Sequence, residues 1–240
     1  IGKNPAIVRK YYKDHSDEHQ LINKYFKNVI INKNRTHAIY DAIEKGFDSV
    51  VLDDGFQDYN IKKDVNILCF NQNQKIGNGL IFPSGPLRED LSAILNAQII
   101  LINGNKDKIF EDRIKNINNN LDIFYTKYKP ININEFKNKN LLAFAGIGNP
   151  DNFFELLEEH NLKILKKITY PDHYEYSHLE ISTIVNKAKK EGFKLVTTEK
   201  DYYRIKKFKF DEIKYIRVEL QVDQKDKLIE KILNKYVKNI

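Results

Sequence analysis

The sequence has no tryptophan, no methionine, a single cysteine and no long apolar segment. Because no run of about 18 apolar residues occurs, no membrane-spanning helix is expected in these residues. The lone Cys69 excludes an internal disulfide framework and agrees with a reducing compartment. Methionine is absent even at position 1, which predicts that the chain begins inside a longer reading frame. With 240 residues and 41% hydrophobic content, the chain can still bury a sizeable core, as one large domain or two small ones.

The charge balance is moderately basic. A formal net charge of +7 permits an anionic partner such as a nucleotide, a phosphorylated substrate, an acidic membrane surface or nucleic acid, without choosing among them. The lysines are scattered among asparagines and isoleucines and form no block, which favours a solvated basic surface.

Short apolar runs alternate with amphipathic segments along most of the chain, and this alternation predicts an α/β fold. Strands are predicted at 29–31, 49–52, 65–70, 97–103, 121–128, 141–145, 164–170, 193–196 and 213–220. Helices are predicted at 35–45, 89–96, 150–161, 177–190 and 223–238. The opening 1–19 shows no convincing period, and 106–120 is charged and of uncertain order. The polar segment 130–140 predicts a boundary between domains at 1–130 and 141–240.

The strongest candidate site follows the strand at 49–52. Asp53 and Asp54 fall at its C-terminal end, and Gly55 lets the chain turn directly after them. In an open parallel sheet this edge is where ligands bind, and an acid there is placed to hold Mg²⁺ against nucleotide phosphates. A plain strand and turn containing Asp-Gly explains the local pattern about equally well.

A second candidate is the long loop 71–90, which is rich in glycine and proline and ends at Arg88 and Glu89. Loops of this length in compact domains are usually functional or disordered. Arginine and glutamate presented together are suited to holding a phosphate and a metal ion. The start of a surface helix, with Glu89 and Asp90 complementing its dipole, is the competing interpretation.

Three further segments carry candidate chemistry. Asp17 and Glu18 precede a helical segment, where a helix cap is the simplest interpretation. His173 lies in a loop before a helix that Ser177 and Glu180 start with a capping box. A histidine beside a carboxylate is a common general base, but a histidine satisfied by a backbone hydrogen bond is the simpler interpretation of the local pattern. A glycine turn, FAGIGNP, fits either anion binding or a tight strand-to-helix connection, and TTEKD places charges and hydroxyls after a late strand.

Together, DDGFQ, GNGLIFPSGPLRE, FAGIGNP, PDHYEY and TTEKD occur in an order and spacing that resembles the tetraacyldisaccharide 4'-kinase family of lipid A biosynthesis. The resemblance extends from about Asp17 to about Asp201, and DDGFQ paired with GPLRE is highly specific. It implies a P-loop NTPase-like, mostly parallel sheet flanked by helices, with a second, smaller α/β lobe. The implied reaction transfers the γ-phosphoryl group of ATP to the 4'-hydroxyl of a lipid disaccharide 1-phosphate.

The same resemblance implies ATP and Mg²⁺ as cofactors and a place in lipopolysaccharide synthesis at the cytoplasmic face of the bacterial inner membrane. It implies peripheral contact with that membrane, a monomer and no nucleic-acid partner. The family's phosphate-binding glycine loop and N-terminal membrane-associated segment are expected upstream of Ile1. The 240 residues by themselves are therefore expected to bind ATP weakly and turn over little.

Site residues carried over by resemblance fall into three groups. Asp17 of SDEH matches the acid of the family's GDEP motif and is expected to act with His173 as the base for the sugar hydroxyl; Ser16 and His19 replace the flanking Gly and Pro. The residues expected to organise Mg²⁺ are Asp53, Asp54 and Glu89. Those expected to contact substrate or phosphates are Glu18, Gln57 and Arg88.

Two other readings stay open. One is a different metal-dependent phosphotransferase on a similar scaffold. A measurement of acceptor specificity would distinguish it from the lipid A kinase. The other is a basic, non-catalytic module that binds anionic lipid or nucleic acid. Its binding would be salt-sensitive and would not depend on Asp17 or His173. That reading leaves the paired acids unexplained.

Overall fold

A computed structural model describes residues 4–12 and 16–237, with the side chains at 16, 17, 236 and 237 outside the description. The strands are β1 (Pro5–Lys10), β2 (Val29–Asn32), β3 (Ser49–Asp53), β4 (Ile67–Asn71), β5 (Ile99–Asn103), β6 (Asp122–Pro130), β7 (Asn140–Ala145), β8 (Lys163–Thr169), β9 (Lys194–Thr198), β10 (Ile213–Ile216) and β11 (Val218–Val222). The α-helices are α1 (Ser16–Tyr25), α2 (Arg35–Glu44), α3 (Lys108–Ile117), α4 (Pro150–Glu159), α5 (His178–Glu191), α6 (Glu199–Ile205) and α7 (Lys225–Val237).

These elements form two compact units, each built from two separate segments of the chain. Unit 1 comprises Ile1–Asp53 and Pro130–Val218, and unit 2 comprises Asp54–Lys129 and Glu219–Ile240. The predicted boundary at 130–140 lies close to the point where the chain passes from Lys129 of unit 2 to Pro130 of unit 1. The predicted division into domains 1–130 and 141–240 differs from the two units. The reason is that the first three strands group with the later half of the chain, which the order of elements along the sequence does not reveal.

The first sheet of unit 1 has the order β2-β1-β3 with all strands parallel. Its central strand β1 lies in the opening segment 1–19, which shows no convincing period in the sequence. Ala6 and Val8 of β1 are fully buried and pack with Ala38 and Ala42 of α2. The strand was missed because it is short and lies between lysine- and tyrosine-rich residues that obscure its two-residue alternation.

The second sheet of unit 1 has the order β10-β9-β7-β8, again parallel. Strand β7 is buried on both faces, as expected for a central parallel strand. Leu141, Ala143 and Ala145 pack in the cluster that contains α4, whereas Leu142 and Phe144 pack in the cluster that contains α5. This alternation explains why the run reads as continuously apolar in the sequence.

The helices of unit 1 have defined caps, and one of these, the capping box on α5, confirms a prediction from the sequence. Asn34 caps α2 by accepting from the backbone of Thr36 at 2.8 Å. Ser177 and Glu180 form both bonds of the predicted capping box on α5, which ends at Gly192 in the left-handed region with φ of 72°.

Unit 2 holds a sheet of order β11-β6-β5-β4, in which β4, β5 and β6 are parallel. Strand β5 packs Ile100 and Ile102 with Phe110 and Ile114 of α3 on one side. Its Ile99 packs with Leu228 of α7 on the other. Helices therefore cover both faces, and the predicted mostly parallel α/β class is confirmed.

Three predicted elements differ in detail. The segment of uncertain order contains the regular helix α3, which Asp107 caps by accepting from the amide of Phe110 at 3.0 Å. The helix predicted at 89–96 is a 3-10 helix over Leu91–Asn96. The late strand predicted as one element is divided into β10 and β11.

No helix among the described residues combines the length and apolarity needed to cross a bilayer.

Candidate functional site

The carboxyl end of β3 in unit 1 is fixed by two arginines. Strands β1 and β3 are parallel, and their register places Arg9 opposite Asp53. The Arg9 Nη1 lies 2.7 Å from Asp53 Oδ2. From α2, the buried Arg35 donates its Nη2 to the main-chain oxygen of Asp53 at 2.8 Å. The predicted acid is thus held in place at the strand end by cations on two different elements.

Glu18 continues this arrangement from helix α1. Its Oε2 pairs with Nη2 of Arg9, and its Oε1 lies 2.8 Å from Nζ of Lys200 on α6. Lys200 Nζ is in turn 3.8 Å from Oδ1 of Asp172. We call this alternating series of Asp53, Arg9, Glu18, Lys200 and Asp172 the charge row. It connects the end of β3, the first turn of α1 and the PDHYEY loop within unit 1.

His173 lies at the end of the charge row. Its Nε2 is 3.3 Å from Nζ of Lys200 and 3.9 Å from Oε1 of Glu18, and its Nδ1 is 3.4 Å from Nη2 of Arg204. The backbone of His173 adopts φ of 56°, a conformation that is costly for a residue with a side chain and that clusters at functional positions. Asp172 Oδ1 accepts the His173 amide at 2.9 Å, which stabilises this turn.

The position of the PDHYEY loop depends on the buried carboxylate of Asp201. This fully buried group accepts from the Gly146 amide, from the Tyr176 hydroxyl and from Arg204, each at 3.0 Å. It also accepts from the Thr198 hydroxyl at 2.7 Å. Burial and the adjacent Asp201 carboxylate raise the pKa of Tyr176 above its ordinary value. The Gly146 amide of FAGIGNP is therefore used internally, which favours the tight-turn interpretation of that motif over anion binding.

A second set of contacts joins α1 to α6 within unit 1. Glu199 accepts from Lys24 Nζ at 2.6 Å and from the Tyr25 hydroxyl at 2.7 Å, and we call these three residues the α1–α6 clasp. Burial, followed by the hydrogen bond to Glu199, raises the pKa of Tyr25 to about 12. Burial lowers the pKa of Lys24, but its hydrogen bonds to Glu199 and Tyr215 outweigh that effect and the net shift is upward. The clasp secures the helix that carries Asp17 and Glu18.

In unit 2, Arg88 contacts two of the predicted site residues, Asp54 and Gln57. Its Nη1 lies 2.7 Å from Oδ1 of Asp54 and 3.5 Å from Oε1 of Gln57. Asp54 adopts φ of 52°, so the chain turns sharply straight after β3. The Oε2 of Glu89 accepts from the Tyr59 hydroxyl at 2.7 Å.

The DDGFQD turn has a stabilising cation that the sequence did not suggest. Lys63 Nζ donates to the main-chain oxygens of Gly55, Phe56 and Asp58 at 3.2, 3.0 and 2.8 Å. Three carbonyl oxygens on one ammonium fix the backbone that presents Gln57 within unit 2.

The structure thus groups the predicted site residues by unit. Glu18, Asp53 and His173 belong to one connected network in unit 1. Asp54, Gln57 and Arg88 form another in unit 2. Asp17 lies in the first turn of α1, but its side chain is outside the described part of the chain.

Sequence reasoning missed two residues of the charge row, Arg9 and Lys200. Arg9 could not be assigned from the sequence, because the strand that carries it, β1, was not predicted. Lys200 lies within TTEKD, but nothing local in the sequence indicates which way its side chain points.

The chain matches the family model described as tetraacyldisaccharide-1-P 4'-kinase (LpxK) over residues 4–237. It is 40% identical over 238 residues to the tetraacyldisaccharide 4'-kinase of Pelagibacter ubique, covering 98% of this chain and 75% of that protein. It is 30% identical over 222 residues to the enzyme of that name from Bartonella quintana, covering 85% of this chain and 65% of that protein. It also resembles the crystal structure of LpxK from Aquifex aeolicus in complex with ATP, with a TM-score of 0.67 at 20% identity over 98% of this chain and 79% of that one. At this identity the structural likeness establishes the fold alone.

Proposed function

We propose a function for this chain from one premise: it belongs to the tetraacyldisaccharide 4'-kinase family. The proposed reaction transfers the γ-phosphoryl group of ATP to the 4'-hydroxyl of a tetraacyldisaccharide 1-phosphate in lipid A biosynthesis. The observation that carries the proposal is the charge row, which brings Glu18 and Asp53 into one network with His173. Phosphoryl transfer depends mainly on positioning and on neutralising charge, and this network supplies groups for both.

Asp17 and His173 are proposed to act together as the base. The backbone of α1 places Asp17 next to Glu18, whose carboxylate lies 3.9 Å from the His173 ring. In the proposed step, the base takes the proton of the 4'-hydroxyl while that oxygen bonds to the γ-phosphorus. The bond from the γ-phosphorus to the β-γ bridging oxygen breaks, and ADP leaves with that electron pair.

Glu18 is proposed to act through the cations it holds. A carboxylate repels a phosphate, so direct contact between the two is unfavourable. Its partners Arg9 and Lys200 are cations, and Glu18 fixes where they lie. Glu18 was expected to contact substrate or phosphates. We therefore propose that it acts indirectly, by positioning Arg9 and Lys200.

Asp53 of unit 1 is proposed as a ligand of Mg²⁺, and the metal-binding roles of Asp54 and Glu89 in unit 2 stay predictions from the resemblance. Carboxylate oxygens suit this ion, which commonly takes one or two protein carboxylates and completes its shell with phosphate oxygens and water. Asp53 uses Oδ2 for Arg9, and its Oδ1 is chemically suited to such an ion. Among the described residues, no group of three or more His, Cys, Asp or Glu side chains is arranged to hold a metal ion. When bound, Mg²⁺ would neutralise phosphate charge.

Arg88 and Gln57 of unit 2 are proposed to position phosphates or the lipid substrate. The planar guanidinium forms paired hydrogen bonds with phosphate oxygens, and 67% of the Arg88 side chain is exposed. Asp54 orients this guanidinium at 2.7 Å, and Lys63 fixes the turn that carries Gln57.

Peripheral contact with the cytoplasmic face of the inner membrane is proposed for the loop that precedes Arg88. Leu80, Ile81 and Phe82 are 53, 45 and 79% exposed. The loop is held by a bond from the Phe82 amide to the Leu87 oxygen at 2.8 Å and one from the Leu87 amide to the Leu80 oxygen at 3.2 Å. A fixed loop that exposes three consecutive apolar side chains is suited to a lipid surface, and the net positive charge favours anionic lipid.

The membrane contact is tested by sedimentation with vesicles of phosphatidylethanolamine and phosphatidylglycerol. Phe82→Ser is expected to lower the bound fraction, because it removes the most exposed apolar side chain of the loop. Ile109→Ser is the matched control, because Ile109 is 85% exposed on α3 of the same unit. Equal binding by both variants would refute a role for this loop.

The activity is tested by transfer of radiolabelled phosphate from ATP to a tetraacyldisaccharide 1-phosphate, using the natural protein. Asp17→Asn and His173→Ala are expected to abolish most turnover, whereas His37→Ala, an exposed histidine on α2, is expected to retain it. Unchanged turnover in the first two variants would remove the proposed base. No transfer by the wild-type protein would refute the kinase assignment.

A further inference from the structure

Three consecutive side chains of the TTEKD segment, Glu199, Lys200 and Asp201, reach three different parts of unit 1. Glu199 belongs to the α1–α6 clasp, and Asp201 receives the hydrogen bonds that hold Gly146 and Tyr176. Lys200, between them, extends to Glu18 and His173. Because α6 begins at Glu199, all three side chains project from the first turn of one short helix.

The surroundings of Lys200 differ from those of a surface lysine. Its side chain is 22% exposed, and its Nζ lies 2.8 Å from Glu18 Oε1, 3.3 Å from His173 Nε2 and 3.8 Å from Asp172 Oδ1. An ammonium has three donors and no acceptor, so one group can bond Glu18 and His173 at once. The ammonium therefore links the residue that follows Asp17 to the proposed partner of Asp17.

We infer that Lys200 is a positioning residue for phosphoryl transfer, which sets the spacing between the Asp17-Glu18 turn and His173. This inference rests on the proposed kinase function. A base pair contributed by two distant segments works only if the segments are held at a fixed separation, and displacement of about 1 Å can cost about 100-fold in rate. Lys200 contacts both Glu18 and the His173 ring.

Lys200 is not needed to hold α6 in place. The α1–α6 clasp on one side and the buried bonds of Asp201 on the other already secure this helix. Partly exposed ion pairs contribute little to stability, so removal of the ammonium is expected to leave the fold intact. A loss of turnover in a Lys200 variant then reports on the site itself.

The kinetic test compares Lys200→Met, Lys200→Arg and Lys187→Met in the natural protein. Lys200→Met keeps most of the apolar side chain and removes the charge, and kcat is expected to fall about 10- to 100-fold with KM for ATP changed less than about twofold. Lys200→Arg is expected to recover part of the loss, because it restores a cation between Glu18 and His173. Lys187 is exposed on α5, and its variant is expected to match the wild type. Equal kcat for Lys200→Met and Lys187→Met would overturn the inference, and so would a rise in KM for ATP alone.

A second readout does not depend on turnover. The chain has six histidines, and the imidazole ¹⁵N resonances of labelled protein are expected to show a displaced Nε2 signal for His173 in Lys200→Met but not in Lys187→Met. An unchanged His173 signal would overturn the inference even if activity fell. If the wild-type protein transfers no phosphate, the kinase assignment fails, and a displaced signal would still establish the contact between Lys200 and His173.

Discussion

Replacing Asp201 by asparagine tests the buried carboxylate that holds the PDHYEY loop. Each carboxylate oxygen accepts two hydrogen bonds: Oδ1 from Tyr176 and Arg204, and Oδ2 from Gly146 and Thr198. Asp201→Asn turns one of these oxygens into an amino group, so two donors then face another donor. The variant also removes the charge opposite Arg204, whose side chain is 9% exposed.

The expected cost follows from these contacts. Losing two buried hydrogen bonds costs about 1 kcal/mol each, and breaking a buried ion pair costs about 3–5 kcal/mol when one charge is left without its partner. These two terms overlap at Arg204, so we expect the free energy of unfolding to fall by about 3–5 kcal/mol. For a slope of about 3 kcal/mol per molar urea, the midpoint is expected to move down by about 1–2 M.

Urea unfolding followed by tyrosine fluorescence is the assay, because the chain has 14 tyrosines and no tryptophan. Asp211→Asn is the control, since Asp211 is exposed in the same unit. A loss below about 0.5 kcal/mol for Asp201→Asn would refute the reasoning, because surface substitutions cause changes of that size.

Three further outcomes are expected. In Gly146→Ala the new Cβ would lie 2.7 Å from the Tyr176 hydroxyl, so thermal unfolding should show a loss of about 1–3 kcal/mol; an unchanged melting temperature would contradict this. Lys63→Met should lower the urea midpoint of unit 2 by removing three charge-assisted bonds, whereas the exposed Lys62→Met should not. The raised pKa of Tyr25, about 12 against an ordinary 10.0, means that its contribution to stability is complete below pH 10 and lost as the pH rises from 10 towards 12. Urea midpoints at pH 8 and pH 11 should therefore differ less in Tyr25→Phe than in the wild type, and an equal difference would count against the α1–α6 clasp.

Several features could be predicted from the sequence because they depend on residues close together in the chain. The capping box of Ser177 and Glu180 spans three residues, and the acid at Asp53 follows directly from where an apolar strand ends. The family was identified from motifs for the same reason, since DDGFQ and GPLRE are contiguous patterns that carry their own specificity. Strand β1 could not be predicted, because its three apolar residues give too weak a period to stand out from their polar neighbours.

The contacts that make the site were decided by the tertiary structure. Glu18 and Lys200 are distant in the sequence, and their 2.8 Å pairing exists because α1 and α6 pack together in unit 1. Arg9 reaches Asp53 because two parallel strands share a register. The sequence by itself determined which chemical groups are present, the helices that begin with clear caps, and the family. Which groups meet was determined by packing, because ion pairs between distant segments leave no periodic signal in the chain.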